Sequence, residues 1–206
     1  MKRTVTLGVG VAALCAAWLG PLPERVAQSF TAHMSMHVIV VALAAPLIAA
    51  ALSGSRFDPS GRAPAVFAPL PASLIEWLVV WGWHAPALHA LAQHQRWALA
   101  IEQGSFLAAG LLLWIGALGG RGAARDARAA TGIVGLLLTS MHMTLLGALL
   151  ALSPRALYGH HADLVDQQTG GLIMLAAGGS AYLIGGLALL ARLLRGRATP
   201  ASSAVT

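Results

Sequence analysis

The sequence predicts an all-α protein, a bundle of about six transmembrane helices with both termini in the cytoplasm. Hydrophobic residues make up 57% of the 206 residues and charged residues only 10%, whereas an ordinary soluble domain has roughly 25% charged residues. Six apolar stretches lie at about 4–20, 30–53, 73–92, 97–119, 131–152 and 170–192. Each is close to the roughly 20 residues that a helix needs to cross a bilayer. The lipid bilayer is therefore the first expected partner.

The whole chain, 1–206, is interpreted as a single integral membrane domain because its loops are short. Residues 1–27 have the basic start and apolar run of a first transmembrane helix or of an uncleaved signal-like segment, and we favour the retained helix. Residues 28–192 form the main bundle, and 193–206 form a cytoplasmic tail. The single cysteine, Cys15, lies in the first segment, which excludes disulfides and a thiolate metal cage.

The distribution of basic residues sets the predicted orientation. With six spans, ten lysines and arginines fall on one side of the membrane, and only Arg25, Arg96 and Arg155 fall on the other. Positively charged loops stay in the cytoplasm, so an N-in, C-in arrangement follows. The arginines are scattered over short loops without interleaved aromatic residues, so no nucleic-acid binding is predicted.

This orientation places three histidines from three different spans in one layer of the outer half of the membrane. At 1.5 Å per residue, His37 lies roughly 10 Å below the outer surface, His84 roughly 12 Å and His142 roughly 15 Å. His33 precedes His37 by one turn and shares its helix face. Ionisable residues inside a bilayer are costly and usually functional. We therefore expect His37, His84 and His142 to lie close together.

Two features of the spans indicate how these residues are presented. The helical spacing of Trp77, Trp81 and His84 predicts that His84 shares the face on which the tryptophans pack. Pro86 in the third span and Pro46 in the second each lack the N–H that continues a helix, which predicts a kink at both positions.

Imidazole and thioether groups favour copper, above all Cu(I), over magnesium, calcium or an iron–sulfur cluster. A lone membrane histidine is more often a hydrogen-bonding residue and a methionine more often a packing residue, so the interpretation rests on the cluster. Haem held by two of the histidines is the alternative that the same residues allow. The candidate metal ligands are His33, Met34, Met36, His37, His84, His142 and Met143.

A second polar patch precedes the last span, in the stretch YGHHADLVDQQTGGLIM at 158–174. Asp166 fits a cap for the helix that follows. The adjacent pair His160 and His161 is a weaker candidate for external metal capture, and so is His89. Glu102, one turn into the fourth span, is a candidate proton or metal contact. No nucleophile–base pair, phosphate loop or HExxH pattern occurs, which argues against an enzyme.

Four motifs in this order, FTAHMSMHVIVVALAAPLIA, WGWHAPALHAL, IEQGSFLAAGLLLW and YGHHADLVDQQTGGLIM, resemble the CtaG family of cytochrome c oxidase assembly factors, the membrane type linked to caa-type oxidases. The similarity covers roughly residues 28 to 190. It implies a non-enzymatic, multi-pass protein of the bacterial plasma membrane that helps to assemble a haem–copper oxidase. Cytochrome c oxidase subunits are then the expected partners and transient copper handling the expected role. A small membrane redox protein with haem, and a purely structural subunit, are the alternatives.

The resemblance also indicates which residues of this sequence match the characteristic positions of the family. Gln103 stands where the family often has a histidine, and Leu175 stands where a tryptophan is usual. The positions implied by the resemblance are His33, Met34, His37, Trp83, His84, Pro86, Glu102, Asp166, Gln167, Gly170, Gly171 and Met174.

Overall fold

The computed structural model describes residues 2–158 and 163–198, and within them the protein is all-α, as the sequence predicts. His160, His161 and the tail beyond residue 198 lie outside the described residues. A one-turn helix, Leu22–Arg25, links the first two helices. The seven longer helices are α1 (Lys2–Leu19), α2 (Phe30–Leu52), α3 (Pro69–Trp83), α4 (Pro86–His94), α5 (Arg96–Leu118), α6 (Gly122–Ala151) and α7 (164–198).

Within the described ranges, five segments are long and apolar enough to cross a membrane, which makes this a multi-pass membrane protein. They are Lys2–Arg25, Phe30–Leu52, Arg96–Leu118, Ala124–Ala151 and Leu164–Arg195. The span predicted over 73–92 forms as two helices, α3 with 15 residues and α4 with 9 residues, and is not one of these five segments. Pro86 is the physical reason: it has no N–H, and it forces Ala85 before it into an extended conformation.

Together, α3 and α4 run antiparallel along α5. At the start of α3, a Cβ on Gly116 of α5 would lie 2.7 Å from the carbonyl oxygen of Phe67. At its end, the indole N–H of Trp83 donates to the Ser105 hydroxyl at 3.0 Å. Helix α4 then packs against α5 as well. The two short helices therefore follow α5 from its C-terminal part back towards its N-terminal part.

Both prolines interrupt regular helix geometry, as expected. Before Pro46, α2 widens into a π-helical stretch over Ile39–Ala44. At Pro86 the chain turns, and the carbonyl of His84 at the end of α3 accepts a hydrogen bond from the hydroxyl of Tyr158 at 3.0 Å. A buried side chain thus satisfies a backbone group that the helix break leaves free.

Two successive glycines seat α7 between α2 and α6. A Cβ on Gly170 would lie 2.5 Å from the ring of Phe30 in α2, and a Cβ on Gly171 would lie 2.5 Å from the backbone nitrogen of Ala151 in α6. Membrane helices associate largely through van der Waals packing, and small residues permit that close approach. The Gly-Gly pair therefore serves two helix interfaces at once.

A fully buried carboxyl group, that of Glu76 in α3, joins four further helices. The Tyr182 hydroxyl of α7 is hydrogen-bonded to it and also lies 3.3 Å from the carbonyl oxygen of Val41 in α2. The Thr139 hydroxyl of α6 is 3.5 Å from its second oxygen. The Tyr182 ring stacks on Trp114 of α5, with 5.3 Å between ring centroids. Sequence reasoning missed this network, although a lone carboxylate in the third span is a signal for one.

At the end of the bundle where α2 stops, Asp58 ties the loop after α2 to the turn between α5 and α6. Its carboxylate accepts backbone N–H bonds from Gly54 at 2.6 Å, Ser60 at 2.9 Å and Gly120 at 3.1 Å. Burial raises the pKa of Asp58, but the hydrogen bonds from Ser60, Gly54 and Gly120 outweigh it, so the pKa lies below its usual value. The carboxylate therefore stays charged and keeps this end of the bundle connected.

We expect Gly171→Ala to lower the unfolding temperature of the detergent-purified protein. Its methyl group would overlap the backbone of Ala151, and overpacking costs about 1–3 kcal/mol. Gly104→Ala in α5 is the matched control, because nothing lies within 4 Å of its Cβ position. Both changes gain about 1 kcal/mol of helix propensity, so the difference between them reports the contact alone. Equal unfolding temperatures for the two variants would contradict the close helix packing.

We expect Glu76→Ala to destabilise the protein more than Glu76→Gln does. Alanine removes the partner that Tyr182 and Thr139 share, and each lost hydrogen bond costs about 0.5–1.5 kcal/mol, whereas the glutamine amide can still bond both. Thermal unfolding of the parent and the two variants checks this. If Glu76→Ala were as stable as Glu76→Gln, the network would not hold the helices together.

Candidate metal centre

Buried histidines form two groups in the half of the bundle where α2 begins. The first, called here the trio, consists of His33, His89 and Glu102. The second, called the pair, consists of His37 and His84. Helix α2 contributes to both because His33 and His37 are one turn apart on the same face.

The trio brings together side chains from α2, α4 and α5. His33 Nε2 lies 3.1 Å from Glu102 Oε1, and the His33 and His89 rings are 4.6 Å apart between centroids. One ligand atom from each of the three residues lies within 4.8 Å of the others. His33 and Glu102 are 0% exposed and His89 is 1% exposed. Three buried nitrogen and oxygen ligands at this spacing can hold a metal ion.

The pair consists of two imidazoles in edge-to-face contact. Their ring centroids are 5.5 Å apart with an interplanar angle of 74°, and Phe106 lies 4.2 Å from the His37 ring. His84 Nδ1 is 2.6 Å from the carbonyl oxygen of Val80. A carbonyl oxygen only accepts, so Nδ1 carries the proton and Nε2 keeps its lone pair. Metal-ligating histidines are commonly oriented by this kind of bond.

His142 of α6 is the third histidine of the predicted layer. It is 8% exposed, and so is largely buried in the bundle. Of the three-histidine layer that the helix depths predict, His37 and His84 are in ring contact, and the place of His142 beside them stays a prediction. Metal binding by these residues stays a prediction.

The imidazoles share an unusual lack of hydrogen-bond partners. Eight buried ring nitrogens have none within the described part of the chain: one each in His33 and His84, and both in His37, His89 and His142. Buried polar groups are paired in more than about 90% of cases, since leaving one unpaired costs free energy. Their lone pairs are therefore not taken up by other protein groups of the described chain.

The three candidate methionines lie in different surroundings. Met34 packs with Phe30 against Gly170, at the contact of α2 with α7. Met36 lines a cleft of about 450 Å³ between α1 and α5, together with Gln103. Met143, next to His142 in α6, is fully buried. Their role as auxiliary ligands stays a prediction.

The tryptophan face predicted for His84 is wrong. Trp77 is 40% exposed on the outside of the bundle, whereas His84 is 5% exposed. His84 instead follows the buried side of α3 that carries Glu76 and Val80, both 0% exposed. A tryptophan is stable against lipid, whereas imidazole and carboxylate groups have to turn inward.

His89 is a member of the trio, although the sequence makes it only a weak candidate. The break at Pro86 lets α4 take its own direction, and His89 then lies over His33. Glu102, expected as a proton or metal contact, forms the third corner. One signal for this cluster was available in the sequence. His33 and Glu102 both occupy predicted spans, where such residues need polar partners.

Asp166 positions the helix that carries His33 and His37. Its carboxylate accepts the backbone N–H groups of Phe30 at 2.5 Å and Thr31 at 3.1 Å, and the Ser29 hydroxyl at 3.1 Å. The expectation that Asp166 caps its own helix is wrong, because Asp163 is the N-cap of α7. Asp166 caps the N-terminus of α2 instead, where an acidic group favours the positive end of the helix dipole.

A family model described as cytochrome c oxidase caa3 assembly factor (Caa3_CtaG) matches residues 1–196. Among the curated proteins and the solved structures, nothing matches the chain. The match extends the resemblance of the four motifs to nearly the whole sequence, including α1. The protein therefore belongs to the Caa3_CtaG family of cytochrome c oxidase caa3 assembly factors.

Proposed function

We propose that the protein assists assembly of a haem–copper oxidase by binding Cu(I) transiently at the pair and passing it to oxidase subunits. Copper is the cargo, and no reaction is catalysed. The main support is the fixed tautomer of His84, which leaves the Nε2 lone pair free. That nitrogen belongs to a ring in contact with His37, whose two nitrogens are also unpaired.

The surroundings of the pair favour Cu(I) over a harder ion. His37 and His84 are neutral imidazole ligands beside the apolar ring of Phe106. Cu(I) prefers soft, uncharged ligands of this kind. A singly charged ion is also less costly to bury than a divalent one.

The packing around the pair is less suited to haem. Phe106 lies 4.2 Å from the His37 ring and 6.3 Å from the His84 ring, and the two imidazoles already meet edge to face. A porphyrin would have to separate the rings and displace Phe106. An absorption spectrum of the purified protein tests this alternative, since reduced haem gives sharp visible bands and Cu(I) gives none.

We expect replacement of His37 or His84 by alanine to lower Cu(I) affinity at least about tenfold and to reduce oxidase activity in cells, while the protein stays in the membrane at near-normal abundance. Loss of a ligand removes coordination without removing the packing helices. His94→Ala is the control, because His94 is an exposed histidine of α4. Parallel losses of abundance and oxidase activity would favour a structural role for the pair.

The topology proposed for this function is six crossings with both termini in the cytoplasm. Because α3 and α4 follow α5 along its length, they supply the third crossing as two pieces. Reporter fusions after residues 60, 125 and 200 should then give cytoplasmic signals, and fusions near 95 and 160 external signals. A cytoplasmic signal at 160 would overturn this arrangement and would place the pair on the other side of the membrane.

A further inference from the structure

We infer that the trio is a second metal site, separate from the pair, and that it takes a divalent cation of the Zn²⁺ or Cu²⁺ class. Its ligands are His33 of α2, His89 of α4 and Glu102 of α5. This inference does not depend on Cu(I) binding at the pair, because the two groups have different ligands and different chemistry.

The ligand atoms of the trio are spaced almost as they would be around a bound metal ion. Metal–nitrogen and metal–oxygen bonds of about 2.0–2.2 Å bring neighbouring ligand atoms to roughly 3–3.5 Å of one another. His33 and Glu102 already lie at 3.1 Å, and the whole set lies within 4.8 Å. Small rotations of the side chains are enough to close it.

His89 distinguishes this arrangement from an ordinary ion pair. A hydrogen-bonded His33–Glu102 pair needs no third polar group. His89 is nevertheless 1% exposed with both ring nitrogens unpaired within residues 2–158 and 163–198, which is costly unless the ring has another partner. A cation shared with His33 and Glu102 supplies a partner for one of the two nitrogens.

The donor set selects the class of ion. Two imidazoles and one carboxylate form a harder, negatively charged site, which suits Zn²⁺ and Cu²⁺ better than Cu(I). Gln103 donates to the second carboxylate oxygen of Glu102 at 3.3 Å, as partners of metal-ligating carboxylates do. The rings of Phe30 and Tyr158 lie 5.3 and 4.2 Å from His89. These two rings hold the imidazole in place and shield it from water.

A surface cleft reaches the residue next to Glu102. The cleft of about 450 Å³ between α1 and α5 is lined by Gln103, next to Glu102, and by Glu24 and Arg96 near the helix ends. None of the three trio residues lines this cleft. Gln103, which donates to the Glu102 carboxylate, separates the cleft from the trio.

The experiment uses the detergent-purified full chain with Co²⁺, whose visible absorption reports coordination by nitrogen and oxygen, and with Zn²⁺ in thermal unfolding. The parent should bind one Co²⁺ and should unfold at a higher temperature in Zn²⁺. Glu102→Gln and His89→Phe should weaken Co²⁺ binding at least about tenfold. Glutamine keeps the shape of the carboxyl group, and phenylalanine keeps the ring contacts with Phe30 and Tyr158.

His84→Ala separates the two sites, because it should retain Co²⁺ binding while losing Cu(I) in a chelator competition, with Glu102→Gln showing the reverse. If the folded parent binds no Co²⁺, or if Glu102→Gln binds it as the parent does, the second site is wrong. Loss of both ions in His84→Ala would show one common site instead of two. Absence of Cu(I) binding alone would overturn the role of the pair and leave the trio standing.

Discussion

The bond between the carboxylate of Asp166 and the first turn of α2 is the contact on which the arrangement of the histidines depends. The first N–H groups of a helix have no partner within it, and hydrogen bonds to a charged acceptor contribute about 1.5–3 kcal/mol each. Asp166 meets two of these groups, and the Thr31 hydroxyl donates back to its carbonyl oxygen at 3.0 Å. The start of α7 therefore fixes the depth and rotation of α2, and with them the direction of His33 and His37.

The polar groups of the bundle follow from that placement and form three levels. On α2, His33, His37 and Val41 are each four residues apart, so they lie along one face. On α3, the same spacing joins His84 with Val80 and Glu76. Lipid offers no hydrogen-bond partner to any of these groups, so the two faces turn toward each other. The trio, the pair and the Glu76 network are the successive levels of one polar interior.

The sequence predicts the features that depend on position along the chain and misses those that depend on rotation. Hydropathy identifies the helices. The depths calculated from the rise per residue place His37 and His84 at the same level, and the two rings are in contact. The face of α3 could not be deduced from tryptophan spacing, since Trp77 packs equally well against lipid. The position of His89 depends on the angle between α3 and α4. Pro86 allows the helix to break there but does not set that angle.

The two contacts of the Tyr182 hydroxyl depend on whether the Glu76 carboxyl is protonated. Its hydroxyl has one proton, yet two acceptors lie within reach, the Glu76 carboxyl and the Val41 carbonyl. Both contacts are hydrogen bonds only while the carboxyl of Glu76 carries a proton and donates it to the tyrosine oxygen. Once that proton leaves, the phenol turns to the carboxylate, and the Val41 carbonyl loses its side-chain partner. Because Val41 lies in the π-helical stretch one turn beyond His37, a single proton decides whether α7 makes this additional hydrogen bond to the helix that carries the pair.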